Sequence, residues 1–285
     1  MTVRSAIARA CAVLKAAGID TPSLDASLLL AHVLDISRTA LAARGTEPLS
    51  RENTEAFFAL VERRQEGECA AYIIGKKEFR GLEFLVNPSV LVPRPDTETL
   101  VEAAIETVNR EQAADGTVRV MDLCTGSGAV AVSLKNEMPC LEVHASDISA
   151  EALQTAKENA RRLLGESHIH FYHGDLYNAL PPCASFSLIV SNPPYVPAGE
   201  IQALSAEVKN EPRLALDGGK TGLEIITRII DSSPDFLQRG GSLLLEADPR
   251  QMGKIASLLA EKGFHDIKLY KDFSGHERVI GSIYE

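Results

Sequence analysis

Three short stretches of this chain hold residues whose types and spacing could do chemistry: DLCTGSGAVA at 122–131, HASD at 144–147 and SNPPYVP at 191–197. The last is the least ordinary. An apolar run, Leu188-Ile189-Val190, leads straight into an amide, consecutive prolines and a tyrosine. Consecutive prolines stiffen the backbone and remove N–H donors while leaving carbonyl acceptors in place. The residue before a proline is held extended, which fixes the aim of Asn192. Its side-chain carbonyl and the Pro193 carbonyl then form a pair of acceptors matched to the hydrogens of a planar NH₂ group. Pro194 keeps the ledge rigid, and Tyr195 offers a flat face for a planar amide or base. The chemistry this suits is attack by a conjugated, poorly nucleophilic nitrogen. Fixed acceptors push density onto that nitrogen and orient it for in-line displacement.

The other two stretches read as a nucleoside site. Gly126, Gly128 and Ala131 follow the G-x-G-x-x-A spacing after one apolar strand, and Asp147 ends the next, about 20 residues on. Glycine is required where backbone approaches a ligand, and a carboxylate where a ribose diol needs acceptors. No Lys follows the glycines, and Asp122 stands at the loop's mouth. An acidic mouth disfavours phosphates and suits the sulfonium and ammonium of S-adenosylmethionine. Asp175, in HGDLY at 173–177, ends the following strand, where adenine's amine could donate to it and Leu176 could pack on the ring. The carboxyl ends of parallel strands are where such folds bind ligands.

The surrounding elements must deliver these residues to one edge. Residues 1–73 read as a small all-α bundle, with Val3, Ile7, Ala10 and Leu14 on one face. Residues 74–93 alternate apolar and polar around Gly75 and Gly81 and read as a linking β-hairpin. From 94 to 285 strands and helices alternate, giving an α/β, Rossmann-like domain with a mostly parallel seven-stranded sheet. The tail, two alternating runs around DFSGHE, closes that sheet antiparallel.

Composition narrows the class. The chain has 285 residues, 45% hydrophobic, with a net charge of -10, which argues against a dedicated nucleic-acid binder. Five scattered cysteines without a CxxC pair suit reduced thiols in a cytoplasmic protein. Arg4, Arg9 and Lys15 interrupt the apolar N-terminus, so it reads as an amphipathic helix and not a signal peptide. His168 and His170 share a strand face that His173 does not, so they are read as a surface run, and no metal is expected.

On NPPY, DLCTGSG, PRPDTE at 93–98, EPRLALDGGKTGLE at 211–224 and DFSGHERVIG at 272–281, nearly the whole chain resembles the release-factor glutamine methyltransferases of the PrmC/HemK type. The resemblance implies methylation of the glutamine in the Gly-Gly-Gln motif of peptide chain release factors, which the small domain helps to hold. It implies that Asn192, Pro193, Pro194 and Tyr195 hold the substrate amide, with Arg94 and Glu98 near the cleft. It implies a cofactor site lined by Cys124, Thr125, Gly126, Ser127, Gly128, Asp147, Asp175, Leu176 and Asn192. Cys124 departs from the family, which usually has glycine there. Glu246 lacks the glycine that usually follows it. Adenine methylation in DNA or RNA, methylation of a ribosomal-protein glutamine, and a binding module without activity are the alternatives. The acidic charge counts against the first, PRPDTE against the second and the intact NPPY against the third.

Overall fold

The structure is a computed structural model that describes residues 1–111, 118–165 and 168–285. The chain forms two compact units, Met1–Lys76 with Ser205–Asn210, and Lys77–Leu204 with Glu211–Glu285.

The first unit packs helices α1 (Val3–Ala16), α2 (Pro22–Val33), α3 (Arg38–Ala43), α4 (Arg51–Gln65) and α5 (Ala70–Ile74). On α1 the buried face is Val3, Ala6, Ala10 and Leu14, with Ile7 packed beside it and only partly buried. That i, i+3, i+7, i+11 spacing is the stripe of an amphipathic helix. At the centre, Arg64 is 2% exposed and donates to Asp25 at 2.7 Å and to Glu207 at 2.8 Å. Cys69 Sγ also meets Glu207, and Asn210 donates to the Gly67 carbonyl. A buried guanidinium with one carboxylate removed is strongly destabilised, so the segment Ser205–Asn210 is locked to this unit by charge as well as by shape.

In the second unit the hairpin β1 (Lys76–Phe79) and β2 (Leu82–Leu85) turns at Arg80 and Gly81, both at positive φ. This is the primed turn that a right-twisted hairpin demands. Helix α6 (Glu98–Glu111) opens the domain. Then follow β3 (Arg119–Leu123), α7 (Ala129–Glu137), β4 (Glu142–Asp147), α8 (Ala150–Leu164), β5 (Ile169–His173) and β6 (Phe186–Ser191). The short α9 (Ala206–Lys209) lies in the first unit's segment, and α10 (Glu224–Ser232), β7 (Leu237–Glu246), α11 (Met252–Glu261), β8 (Phe264–Lys271) and β9 (Glu277–Tyr284) complete the chain.

The sheet order is β5-β4-β3-β6-β7-β9-β8, parallel from β5 to β7, with β9 antiparallel to both its neighbours. The expected architecture is therefore present. Its parallel strands are apolar on both faces because helices cover both. One core lies between the sheet and α6, α7 and α8, the other between the sheet and α10 and α11. Among the described residues no helix is long and apolar enough to cross a membrane.

Candidate functional site

Strand order runs outward from β3 in both directions, so β3 and β6 flank the topological switch point, where open α/β sheets bind ligands. Leu123 pairs with Ser191 across the two strands and with Ser146 on the other side. The residues that follow, Cys124, Asn192 and Asp147, must then emerge side by side. A cavity of about 420 Å³ opens there, lined by the glycine loop, Asp147, Asp175, Leu176, Asn192 and Pro194 among others.

The glycine loop is a left-handed turn. Cys124, Gly126 and Gly128 have φ of 60°, 56° and 80°. At Gly128 a Cβ would stand 3.1 Å from the Ala156 Cβ, so this glycine lets α7 approach α8. At Gly126 nothing of the protein lies within 4 Å of a Cβ, and the open direction belongs to the cavity wall. Gly126 N–H donates to Asp147 Oδ2 at 2.8 Å, and Ser149 N–H to Oδ1 at 2.9 Å. Backbone donors thus hold the two carboxylate oxygens side by side, an arrangement that fits a vicinal diol. Buried Asn159, on α8, braces the same loop: its amide donates to the Ser127 and Leu85 carbonyls and accepts from Leu85 N–H.

Cys124 carries a side chain where the backbone favours glycine. A left-handed L-residue costs about 1–2 kcal/mol, and glycine returns roughly 0.5–1 kcal/mol of that in chain entropy. Cys124→Gly is therefore expected to raise the melting temperature by about 1–3 °C. A lower melting temperature would show that the thiol's packing outweighs the strain. Burial pushes the thiol's pKa up, so Cys124 resists alkylation while exposed Cys140 and Cys183 react.

Asp122 stands beneath the loop more than at its mouth. It is 1% exposed, and Oδ2 accepts from the Thr125 hydroxyl at 2.6 Å and from Ala131 N–H at 3.2 Å. Burial raises its pKa to about 7, against those hydrogen bonds. A cation bound in the cavity it borders favours the charged form. Binding of S-adenosylmethionine near pH 6.5 is thus expected to release a proton, and affinity to rise by up to about tenfold between pH 6 and 8. Calorimetry in buffers of different ionisation enthalpy reads this directly. Zero proton release, or an Asp122→Asn variant with the same pH dependence, contradicts it.

Asp175 and Leu176 border the far end of the cavity. Leu176 is also left-handed, at φ 50°, and strained residues of this kind gather at functional sites. Asp175 Oδ2 accepts from Arg228 Nη2 at 2.6 Å, a pairing with α10 that sequence reasoning missed. Its other oxygen faces no partner among the hydrogen bonds of the described residues.

At the ledge, Asn192 and Pro194 line the cavity, whereas Pro193 is buried and Tyr195 is turned toward the core between the sheet and α10–α11. The EPRLALDGG stretch clamps this backbone from behind. Val196 N–H donates to the Leu216 carbonyl, Gly218 N–H to the Val196 carbonyl, and Gln251 Nε2 to the Tyr195 carbonyl. A Cβ on Gly218 would fall 2.7 Å from the Pro194 oxygen, and one on Gly222 would fall 2.4 Å from the Tyr195 oxygen. Those glycines exist for close approach. Arg94 reaches the cavity but is ion-paired to buried Glu211, which also accepts from Val92 N–H at 3.0 Å. Glu98 begins α6 and does not line the cavity.

Away from this site, Glu142, His144 and His170 gather their ligand atoms within 4.8 Å of one another. Both His144 ring nitrogens are already engaged, Nε2 with Glu142 Oε1 at 2.8 Å and Nδ1 with the Tyr172 hydroxyl at 3.0 Å. His168, His170 and His173 lie on or beside β5, the sheet's edge strand.

The PrmC N-terminal domain family matches residues 5–75, and the methyltransferase small domain family matches residues 101–210. The release factor glutamine methyltransferase of Burkholderia pseudomallei (strain K96243) is 39% identical over 286 residues, covering 98% of each chain. That of Neisseria gonorrhoeae (strain ATCC 700825 / FA 1090) is 40% identical over 259 residues, 90% of this chain and 92% of the other. A solved methyltransferase from Pyrococcus furiosus shares the fold, with a TM-score of 0.52 at 19% identity over 78% of this chain and 96% of its own.

Proposed function

Because this chain belongs to the release factor glutamine methyltransferase family, we propose that it methylates the side-chain amide nitrogen of the glutamine in the Gly-Gly-Gln motif of peptide chain release factors, using S-adenosylmethionine. The observation that carries the reading is the placement of Asn192. It stands at the switch point beside the glycine loop, on the cavity wall, with its Nδ2 tied back to Thr97.

The residues present fit the cofactor. Asp147 offers paired acceptors to the ribose, Gly126 leaves room for close backbone approach, and Asp122 supplies negative charge below the loop. When bound, S-adenosylmethionine supplies an electrophilic methyl group. The chain's own work is to hold and aim the nucleophile. Asn192 Oδ1 accepts from the glutamine NH₂, keeping its lone pair directed along the reaction axis. Withdrawing that acceptor leaves a delocalised amide nitrogen free to rotate. No strong base is required, because the amide's proton leaves only after the nitrogen has acquired the methyl group and become acidic. Arg94, anchored by Glu211, puts a fixed positive charge at the substrate side of the cavity.

Incubation with methyl-labelled S-adenosylmethionine and a release factor tests this. Label should enter the intact factor and vanish when the Gly-Gly-Gln glutamine is changed to alanine. Transfer to adenine-containing DNA, with none to the factor, would overturn the reading of the substrate.

A further inference from the structure

The antiparallel tail of the sheet presents a side chain that the chemistry at the cavity does not use. Phe273 lies in the turn between β8 and β9 and is 77% exposed. Among the described residues of the second unit, the other large exposed apolar side chains are Ile148, Leu214 and Leu269. Ile148 and Leu214 line the cavity, where a bound cofactor or an entering substrate covers them, and Leu269 lies within β8. Phe273 does not line the cavity, so whatever covers it comes from outside.

The turn that carries this ring is held from below. Asp272 is 5% exposed, and its Oδ1 accepts from Ser274 N–H and from His276 N–H, each at 2.9 Å. Its Oδ2 accepts from Arg278 Nε at 3.3 Å. Asp272 N–H donates to the His276 carbonyl at 2.9 Å, and Gly275 N–H, at φ 85°, donates to the Asp272 carbonyl at 2.9 Å. Burying a carboxylate is costly unless hydrogen bonds offset it, and here those bonds fix the turn. Phe273 is therefore presented on a backbone already set before anything binds.

The tip also stands on the edge of the sheet where the cavity opens. Ser191, which precedes Asn192, pairs with Leu245, and Leu245 pairs with Ile280. β9 thus lies two strands from β6, about 10 Å across the sheet, and the residues before Val279 project beyond the carboxyl edge. Arg278 binds Asp96 at 3.1 Å. Asp96 falls in sequence between Arg94 and Thr97, both on the cavity wall, so the hairpin end is tied to that wall.

One large body must come to this edge: the protein whose glutamine enters the cavity. A glutamine side chain is short, so the main chain that bears it must cross the cavity mouth and the rest of that protein must spread over the neighbouring loops. Aromatic rings are enriched at the centres of protein interfaces, and a preformed turn lowers the entropy lost on docking. We propose that Phe273 is a docking anchor for the protein substrate, seating in an apolar depression of the release factor beside its Gly-Gly-Gln loop. The inference rests on the reading of the substrate as a release factor.

The test measures methyl transfer to a whole release factor by the unmodified protein, Phe273→Ala and Phe273→Leu. Phe273→Ala should raise KM for the factor by about 10–30-fold, the scale of truncating an interface anchor. Its kcat and its Kd for S-adenosylmethionine should stay within about twofold, because a side chain outside the cavity contributes to neither chemistry nor cofactor binding. Phe273→Leu should restore most of the KM. An unchanged KM in Phe273→Ala, or a loss confined to kcat, overturns the proposal. A second readout needs no turnover. With 4-fluorophenylalanine in place of phenylalanine, the ¹⁹F resonance missing from Phe273→Leu belongs to Phe273, and it should shift or broaden when the factor is added. A resonance that the factor leaves unmoved overturns the proposal. One that moves only with the protein's own concentration makes a second copy of this chain the occupant and overturns it too. If the unmodified protein transfers no methyl to the factor, the substrate reading fails while the resonance still decides whether the tip docks.

Discussion

Asn192→Ala is expected to lower kcat for methyl transfer by about 10²–10³-fold, the scale of deleting one aimed polar contact at a reacting centre. The cofactor Kd should stay within about twofold. The ground for this split is geometric. Asn192 follows β6 and is tied to Thr97 on its inner side, whereas the ribose acceptors belong to Asp147 at the end of β4. Removing the side chain deletes an acceptor for the nucleophile and leaves the glycine loop and its carboxylate untouched. The fold should lose only about 1 kcal/mol, the one modest hydrogen bond to Thr97. Asn192→Asp is the sharper comparison. It keeps the shape and an outward acceptor but replaces the Nδ2 donor to Thr97 with a second oxygen, so it should be less impaired than alanine. Kinetics at saturating cofactor together with calorimetric cofactor titration read both quantities. Should cofactor affinity fall as steeply as turnover in Asn192→Ala, the residue serves the cofactor and the amide assignment is lost.

What the sequence reveals and what it hides divide along range. The alternation of strand and helix, the antiparallel tail and the hairpin are local patterns, and each is legible because burial imposes a period of 2 or 3.6. The meeting of Cys124, Asp147 and Asn192 is legible too, since residues ending consecutive parallel strands must share an edge. The loop glycine that Cys124 replaces is explained only by the backbone: φ of 60° is a conformational demand that residue types do not display. The support of the site is longer in range. Glu211 pairs with Arg94 117 positions away, and Glu207 with Arg64 143 positions away. Neither separation carries a periodic signal. Glu246, buried at the end of β7, draws no attention in sequence because its neighbour departs from the family pattern. Tyr195 depends on packing that its residue type does not display: its flat ring suggests a stacking face, and in this structure the residue packs, partly buried, against the core between the sheet and α10–α11.

Asp147→Asn is expected to raise the cofactor Kd by about 100-fold, equivalent to roughly 2.7 kcal/mol, while kcat at saturating cofactor changes by less than about fivefold. Asparagine has nearly the same shape, so the difference is one of hydrogen-bond sense. In the native site both carboxylate oxygens accept: Oδ2 from Gly126 N–H, Oδ1 from Ser149 N–H. An amide has one accepting end. Whichever way the substituted amide turns, its NH₂ faces a backbone N–H, either at the glycine loop or at the start of α8. The mutation therefore removes an acceptor for the diol and also unpins one of two backbone segments that shape the cavity. Burial already pushes the Asp147 carboxyl upward against its backbone hydrogen bonds, so its charge is tolerated there because those N–H groups are aimed at it. The loss should appear as weaker binding of both S-adenosylmethionine and S-adenosylhomocysteine, since the ribose is common to them. An unequal loss, confined to S-adenosylmethionine, would assign Asp147 to the sulfonium and remove it from the ribose; an unchanged Kd for both would remove it from the cofactor altogether.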